Sequence, residues 1–72
     1  MMRFYKNKNY RYESEDRNVE LTCGFPVKYY YEELGVWIEG RIEHNDKDYY
    51  FYNNNGKSLN LYAGVMLEEL SN

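Results

Sequence analysis

The sequence predicts an all-β protein, folded as a small barrel or strongly rolled antiparallel sheet of about six or seven short strands. Three observations carry this. Apolar and polar residues alternate with a period of two along most of the chain, and no 3.6-residue apolar stripe persists for three helical turns. Clusters of Asn, Asp and Gly recur roughly every 8 to 12 residues, the spacing of turns between short strands. A rolled or closed sheet is the arrangement that hides the edges such strands would otherwise expose.

The elements follow in order. Phe4-Tyr5 and Tyr10-Arg11-Tyr12 bracket Lys6-Asn7-Lys8-Asn9. Asn7 and Asn9 tolerate the left-handed backbone of a tight turn, so this segment reads as a first hairpin. Glu13 to Asn18 is a polar connection, and Val19 to Thr22 a candidate short strand ended by Cys23-Gly24. From Phe25 to Tyr31 the residues Phe25, Val27, Tyr29 and Tyr31 share one side. Pro26 lacks an amide donor, which places the start of that strand at an edge or a bulge.

Glu33-Leu34-Gly35 turns the chain into a central strand. There Val36, Ile38, Gly40 and Ile42 fall on one face and Trp37, Glu39, Arg41 and Glu43 on the other. A symmetric loop centred on Asp46-Lys47 pairs His44 with Tyr49, Ile42 with Phe51 and Arg41 with Tyr52. A three-residue loop would shift the register by one and exchange the tyrosine faces. The symmetric loop is favoured because it buries Phe51 and leaves the hydroxyls of Tyr50 and Tyr52 in water. Asn53 to Lys57 is a turn, Ser58 to Leu61 a short strand, Leu61 to Gly64 a single 3₁₀ turn, and Val65 to Leu70 closes the sheet. Ser71 and Asn72 are expected to fray.

With 72 residues the chain makes one domain, residues 1–72, that buries only about 60% of its unfolded surface. The single Cys23 forms no internal disulfide, and no Cys/His cluster offers a structural zinc. Aromatic packing is the available substitute: ten Tyr, three Phe and one Trp supply large apolar faces with polar tips. No segment approaches the roughly 20 apolar residues of a membrane helix, and no leader-like apolar run follows the first residues. A soluble, cytoplasmic protein is therefore expected, in keeping with its lone thiol. The first 17 residues carry a net charge of +2 and the rest −5, giving −3 in all. That balance disfavours nucleic acid, which needs a concentrated basic footprint, and suits a partner with a basic surface.

Five motifs occur in a familiar order: Arg11-Tyr12, Leu21-Thr22-Cys23-Gly24, W-x-x-x-R-I-E from Trp37 to Glu43, Tyr49-Tyr50-Phe51, and L-x-L-x-x-G from Leu59 to Gly64. Together they resemble a small family, domain of unknown function 5348, found in Gram-positive bacteria, their phages and mobile elements. The likeness runs from Arg11 to Leu70. It implies an SH3-like β fold and transfers no catalytic residue. Family members typically finish with an Arg-containing strand after the Gly, whereas this chain has Met66-Leu67-Glu68-Glu69-Leu70, an acidic edge in place of a basic one.

The residues that could carry chemistry are few. Cys23 and His44 are the only candidates for a thiol nucleophile and its base, and a lone Cys before a Gly more often packs as a small hydrophobe. Glu39 and Glu43 lie about 13 Å apart along one strand face, too far for either kind of paired-carboxylate glycoside hydrolysis. His44, Asp46 and Asp48 fall in one turn but lack the bidentate Glu and bend Gly of a calcium loop. No enzyme, cofactor or metal site is expected.

Binding surfaces remain. Lys6, Lys8 and Arg11 interleave with Tyr5, Tyr10 and Tyr12, a basic-aromatic mixture that could track a nucleic-acid strand, with Lys6, Lys8, Tyr10 and Arg11 as its contacts. The stronger candidate is the face made by Trp37, Glu39, Arg41, Glu43, Tyr50 and Tyr52. Exposed Trp, Tyr and Arg dominate interface hot spots because they offer much contact area for little lost freedom. Its opposing explanation is that Trp37 merely covers one barrel end beneath the N-terminal hairpin. The expected function is a non-enzymatic module, encoded by a phage or mobile element, that binds a protein partner through this face. Glu32, Glu33, Glu39, Glu43, Glu68 and Glu69 would favour a basic patch on that partner, such as the nucleic-acid groove of a host enzyme. Pairing into a homodimer through an edge strand is a further expectation.

Overall fold

The computed structural model describes residues 2–70; the expected fraying of Ser71 and Asn72 lies outside them. Seven strands form one antiparallel sheet: β1 (Met2–Lys6), β2 (Tyr12–Ser14), β3 (Pro26–Tyr31), β4 (Val36–His44), β5 (Tyr49–Asn53), β6 (Ser58–Asn60) and β7 (Val65–Glu69). Their spatial order is β2-β1-β7-β3-β4-β5-β6. Consecutive strands pair in two hairpin runs, β1–β2 and β3–β4–β5–β6, and β7 joins the runs by entering between β1 and β3, so that β2 and β6 lie at the two edges. Among the described residues there is no helix, and β2 and β6 do not pair to close the sheet.

The sheet is open but coiled. Its extents of 30 × 27 × 26 Å are nearly equal, which a flat sheet, about one side chain thick on each face, would not give. Coiling brings Lys6 at the end of β1 to the β4–β5 turn, where its Nζ lies 2.9 Å from Asp48 Oδ2. It also lets the Tyr29 hydroxyl of β3 donate to the carbonyl of Asn60 at 3.2 Å. Inside the coil lie Phe4, Tyr12, Leu21, Val27, Tyr29, Ile42, Phe51, Leu61, Val65 and Leu67. On the inner faces of β3 and β4 the alternation is as the sequence predicts, with Val27, Tyr29, Gly40 and Ile42 buried. Val36 departs from it: at the strand's first position it is 43% exposed.

The β4–β5 hairpin has the symmetric register, with His44 opposite Tyr49, Ile42 opposite Phe51 and Arg41 opposite Tyr52. Asn45 Oδ1 accepts from the amides of Lys47 and Asp48 (2.8 and 2.9 Å), fixing the tight loop from its first residue. At the start of β3 the predicted irregularity is a bulge. The Phe25 amide donates to Thr22 O, Gly24 has a φ of +89°, and Gly24 N–H and Phe25 O both engage Ile42. Two residues thus oppose one, with Gly in the left-handed position that such a bulge demands.

Three expectations are corrected. Leu61 to Gly64 is not a 3₁₀ turn: Val65 N–H reaches Tyr62 O, and the φ of +85° at Gly64 makes this a reverse turn of the type that needs a glycine third. Val19 to Thr22 forms no strand, only one bridge between Glu20 and Glu13. In the first hairpin the left-handed residue is Tyr10, at φ 63°, and neither Asn7 nor Asn9. Asn7 works through its side chain, whose Oδ1 accepts from the amides of Asn9 and Arg11 (2.9 and 3.2 Å).

Candidate functional site

The side of β3, β4 and β5 facing away from the core carries the candidate surface. Period-two alternation sends Trp37, Glu39, Arg41 and Glu43 outward from β4, and the registers set Tyr30 and Lys28 of β3 opposite Trp37 and Glu39, and Tyr52 and Tyr50 of β5 opposite Arg41 and Glu43. All six predicted residues therefore share one face. They do not form one cluster.

Trp37 stacks on Tyr30, with ring centroids 5.1 Å apart and planes tilted by 53°. It packs on the outer side of the sheet rather than beneath the N-terminal hairpin. Next to it Glu39 is exposed and, among the described residues, makes no ion pair. Its cross-strand neighbour Lys28 lies 4.0 Å from Glu68 on the other side. Tyr30 is a member of the site that the sequence reading missed. The signal was available, since a turn over Glu32 to Gly35 sets Tyr31 opposite Val36 and hence Tyr30 opposite Trp37.

At the other end of the face the Arg41 guanidinium is held twice. It donates to Glu43 and lies over the Tyr52 ring, 4.9 Å from its centroid. The hydrogen bond from Arg41, and to a lesser degree a weak bond from the Cys23 thiol at 3.4 Å, hold the Glu43 carboxyl below its ordinary range. Beside this pair a shallow groove of about 300 Å³ is lined by Asn45, Tyr50, Tyr52, Ser58 and Asn60. Tyr50 and Tyr52 are half-buried, so the groove has aromatic walls and an amide rim. It contains no nucleophile with a base.

The thiol chemistry considered from sequence does not come together. Cys23 is exposed, and its bonded partner is Glu43; the His44 ring packs against Tyr49 at 4.4 Å between centroids. Asp48 is likewise engaged. Its carboxyl is held below the ordinary value chiefly by the Lys6 ammonium, helped by the Tyr49 amide. No group of three metal-ligating side chains occurs among the described residues.

The N-terminal basic surface is dispersed by its own neighbours. Lys6 pairs with Asp48 and Arg11 with Glu20 (3.3 Å), while Tyr12 is buried in the core rather than displayed beside them. The open depression next to this hairpin, about 660 Å³, sets Lys6, Lys8 and Arg17 against Glu13, Glu15 and Glu20. Its charges cancel. Tyr10 stands apart, 75% exposed at the hairpin tip.

A family model described as a domain of unknown function, DUF5348, matches residues 2–65. No curated protein and no solved structure matches the chain. No helix among the described residues is long and apolar enough to cross a membrane.

Proposed function

We propose that this chain, which belongs to the DUF5348 family, is a non-enzymatic binding module that grips a protein partner with the outer face of β3, β4 and β5. The observation that carries this reading is the Trp37–Tyr30 stack. A tryptophan placed on the side of the sheet opposite the core contributes little to the interior, and half-exposed aromatic pairs of this kind are the usual anchors of interfaces. The coiled seven-stranded sheet supports an SH3-like description, in which aromatic residues on a curved β surface take up extended or cationic segments. Glu39 next to the stack, with Glu32, Glu33 and Glu68 nearby in sequence or across the sheet, favours a basic partner surface. A cytoplasmic phage or mobile-element protein that covers the basic groove of a host nucleic-acid-handling enzyme fits that charge.

The test is a capture experiment from Gram-positive host lysate with the wild-type chain and the Trp37→Ala, Arg41→Ala double variant, both confirmed folded by their thermal transitions. Loss of specific partners from the variant supports the face. Recovery of the same partners by both removes it.

A second reading, nucleic-acid binding through Lys6, Lys8, Tyr10 and Arg11, rests on the exposure of Tyr10, a ring available for stacking on a base. Affinity for single-stranded DNA or RNA that falls steeply with salt would favour it. Absence of binding at low salt would dismiss it.

A further inference from the structure

We infer that the first half of β4 is an open docking edge, which takes an extended, basic segment of a partner protein as an added antiparallel strand beside Trp37 and Glu39. The inference deepens the function proposed above and rests on the same face.

The edge follows from the ladders. β3 pairs with β4 from Val36 to Arg41, whereas β5 pairs with it only from Gly40 to His44. Ile42 exchanges its backbone bonds with Gly24 and Phe25, on the β3 side. By alternation Gly40, Ile38 and Val36 point the same way, and Arg41 and Glu43 point to β5. The backbone groups of Glu39 and Trp37 therefore point to the side where β5 has ended. Neither residue exchanges a backbone bond with the turn that follows Asn53. β5 leaves the edge because it crosses closely over Gly40, where a side-chain atom would stand 2.9 Å from Asn53 Cα. From there the chain folds inward, and the Asn60 carbonyl is met by the Tyr29 hydroxyl.

Two N–H and C=O pairs are thus presented over four residues, about 13 Å of strand. Such an edge is usually hidden or blunted by a lysine, a proline or a bulge. Here it is flanked by the 72% exposed Leu34 and the 43% exposed Val36. Residues of an added strand directly opposite Trp37 and Glu39 would lie on the outer face, in hydrogen-bonded pairs. A lysine or arginine opposite Glu39 meets a carboxylate that has no ion pair among the described residues, and one opposite Trp37 meets the indole face. The residue between them lies beside Ile38, which favours a small apolar side chain. The occupant is accordingly a basic-apolar-basic strand. A second copy of this chain is the poorer fit, since it would bring together two molecules of charge −3, each with Glu32, Glu33 and Glu39 near the seam.

The probe is a capped five-residue peptide, Lys-Val-Lys-Val-Lys, added to the full chain while amide exchange is followed residue by residue by NMR. Expected are slowed exchange at the Trp37 and Glu39 amides and a loss of affinity of about tenfold or more when the lysine amides are N-methylated, which removes the ladder bonds but keeps the charge. Glu39→Lys should weaken the unmodified peptide similarly. Unchanged exchange at both amides, or equal binding of the methylated peptide, overturns the inference. Protection that rises with protein concentration in the absence of peptide overturns it in favour of self-pairing. If Trp37 and Arg41 prove necessary for lysate partners while both amides stay unprotected, the edge fails and the face stands. If the double variant keeps its partners, the face itself fails.

Discussion

Phe51 lies across Gly40: a Cβ built on that glycine would stand 2.8 Å from Phe51 Cζ and 2.9 Å from Asn53 Cα, and would also strike the carbonyl of Tyr52. Two of these three obstacles are backbone, so the neighbour cannot swing aside. Gly40 is what lets β5 press onto β4, put Phe51 against Tyr29 at 4.9 Å between centroids, and then turn inward. Gly40→Ala is expected to cost about 3 kcal/mol by overpacking. Urea denaturation checks it, and a loss below about 1 kcal/mol would mean the close approach is relaxed in solution.

Two turns of this protein share one architecture and differ in the residue that takes the left-handed position. In Asn7 to Arg11 and in Asn53 to Lys57 the first Asn donates its amide to the fifth carbonyl, the fourth amide returns to the first carbonyl, and the Asn side chain caps the third and fifth amides. The fourth residue is left-handed in both: Gly56 at φ 86° and Tyr10 at φ 63°. A side chain in that region costs about 1–2 kcal/mol, offset in part by the greater freedom of glycine in the unfolded chain. Tyr10→Gly should therefore stabilise the protein by about 0.5–1 kcal/mol, which for a domain of this size raises the melting temperature by roughly 2 to 8 °C. Gly56→Ala should lower it by a similar amount. Equal or lower stability of the glycine variant would show that the Tyr10 ring has packing partners in solution.

Much of this was legible in the sequence where a local rule decides. The register of β4 and β5 followed from burying Phe51, and a proline that cannot donate placed an edge or a bulge at the start of β3, where the structure has the bulge. Tyr12 and Tyr10 were not separable by pattern, since both are tyrosines in a basic hairpin; only the coil, which folds Tyr12 inward, distinguishes them. The insertion of β7 between β1 and β3 rests on contacts far apart in the chain, to which alternation is blind. The open edge was hidden for the same reason, because it depends on where β5 stops rather than on what β4 contains.

Tyr29 links stability to alkaline pH. Burial pushes its phenol up to about 12 from an ordinary 10.0. A folded-state value above the unfolded one favours the folded state while both forms are protonated, so this contribution is complete below pH 10.0 and is lost as pH rises toward about 12. Tyr29→Phe removes the bond to Asn60 and should cost about 0.5–1.5 kcal/mol at neutral pH. It should also flatten the fall in stability between those two values. An unaltered alkaline limb in thermal melts would refute the assignment.

Acid acts through Asp48. Its carboxyl titrates below the ordinary 3.8, chiefly because of the bond from Lys6. A depressed folded-state value gives stability that is present above the unfolded value and is lost as pH falls below it through the folded one. Lys6→Ala should raise the Asp48 midpoint toward 3.8 in a carboxyl-carbon NMR titration. A midpoint that does not move would mean that β1 and the β4–β5 turn are not held together in solution.

Trp37 and Ile42 lie on opposite faces of β4, and the difference between them separates binding from folding. Ile42 is wholly buried, so Ile42→Ala should cost about 2–5 kcal/mol through lost transfer energy and a residual cavity. Trp37 is half-exposed and stacked on Tyr30, and the stack itself is worth about 0.5–1.5 kcal/mol. A double-mutant cycle with Trp37→Ala and Tyr30→Ala should return a coupling in that range, with Trp37→Ala alone costing about 1–2 kcal/mol. A cost matching that of Ile42→Ala would mean the indole supports the sheet, and would leave the outer face without its anchor. A small cost leaves a large aromatic side chain on a solvent face for which stability gives no reason, and recognition then has to supply one.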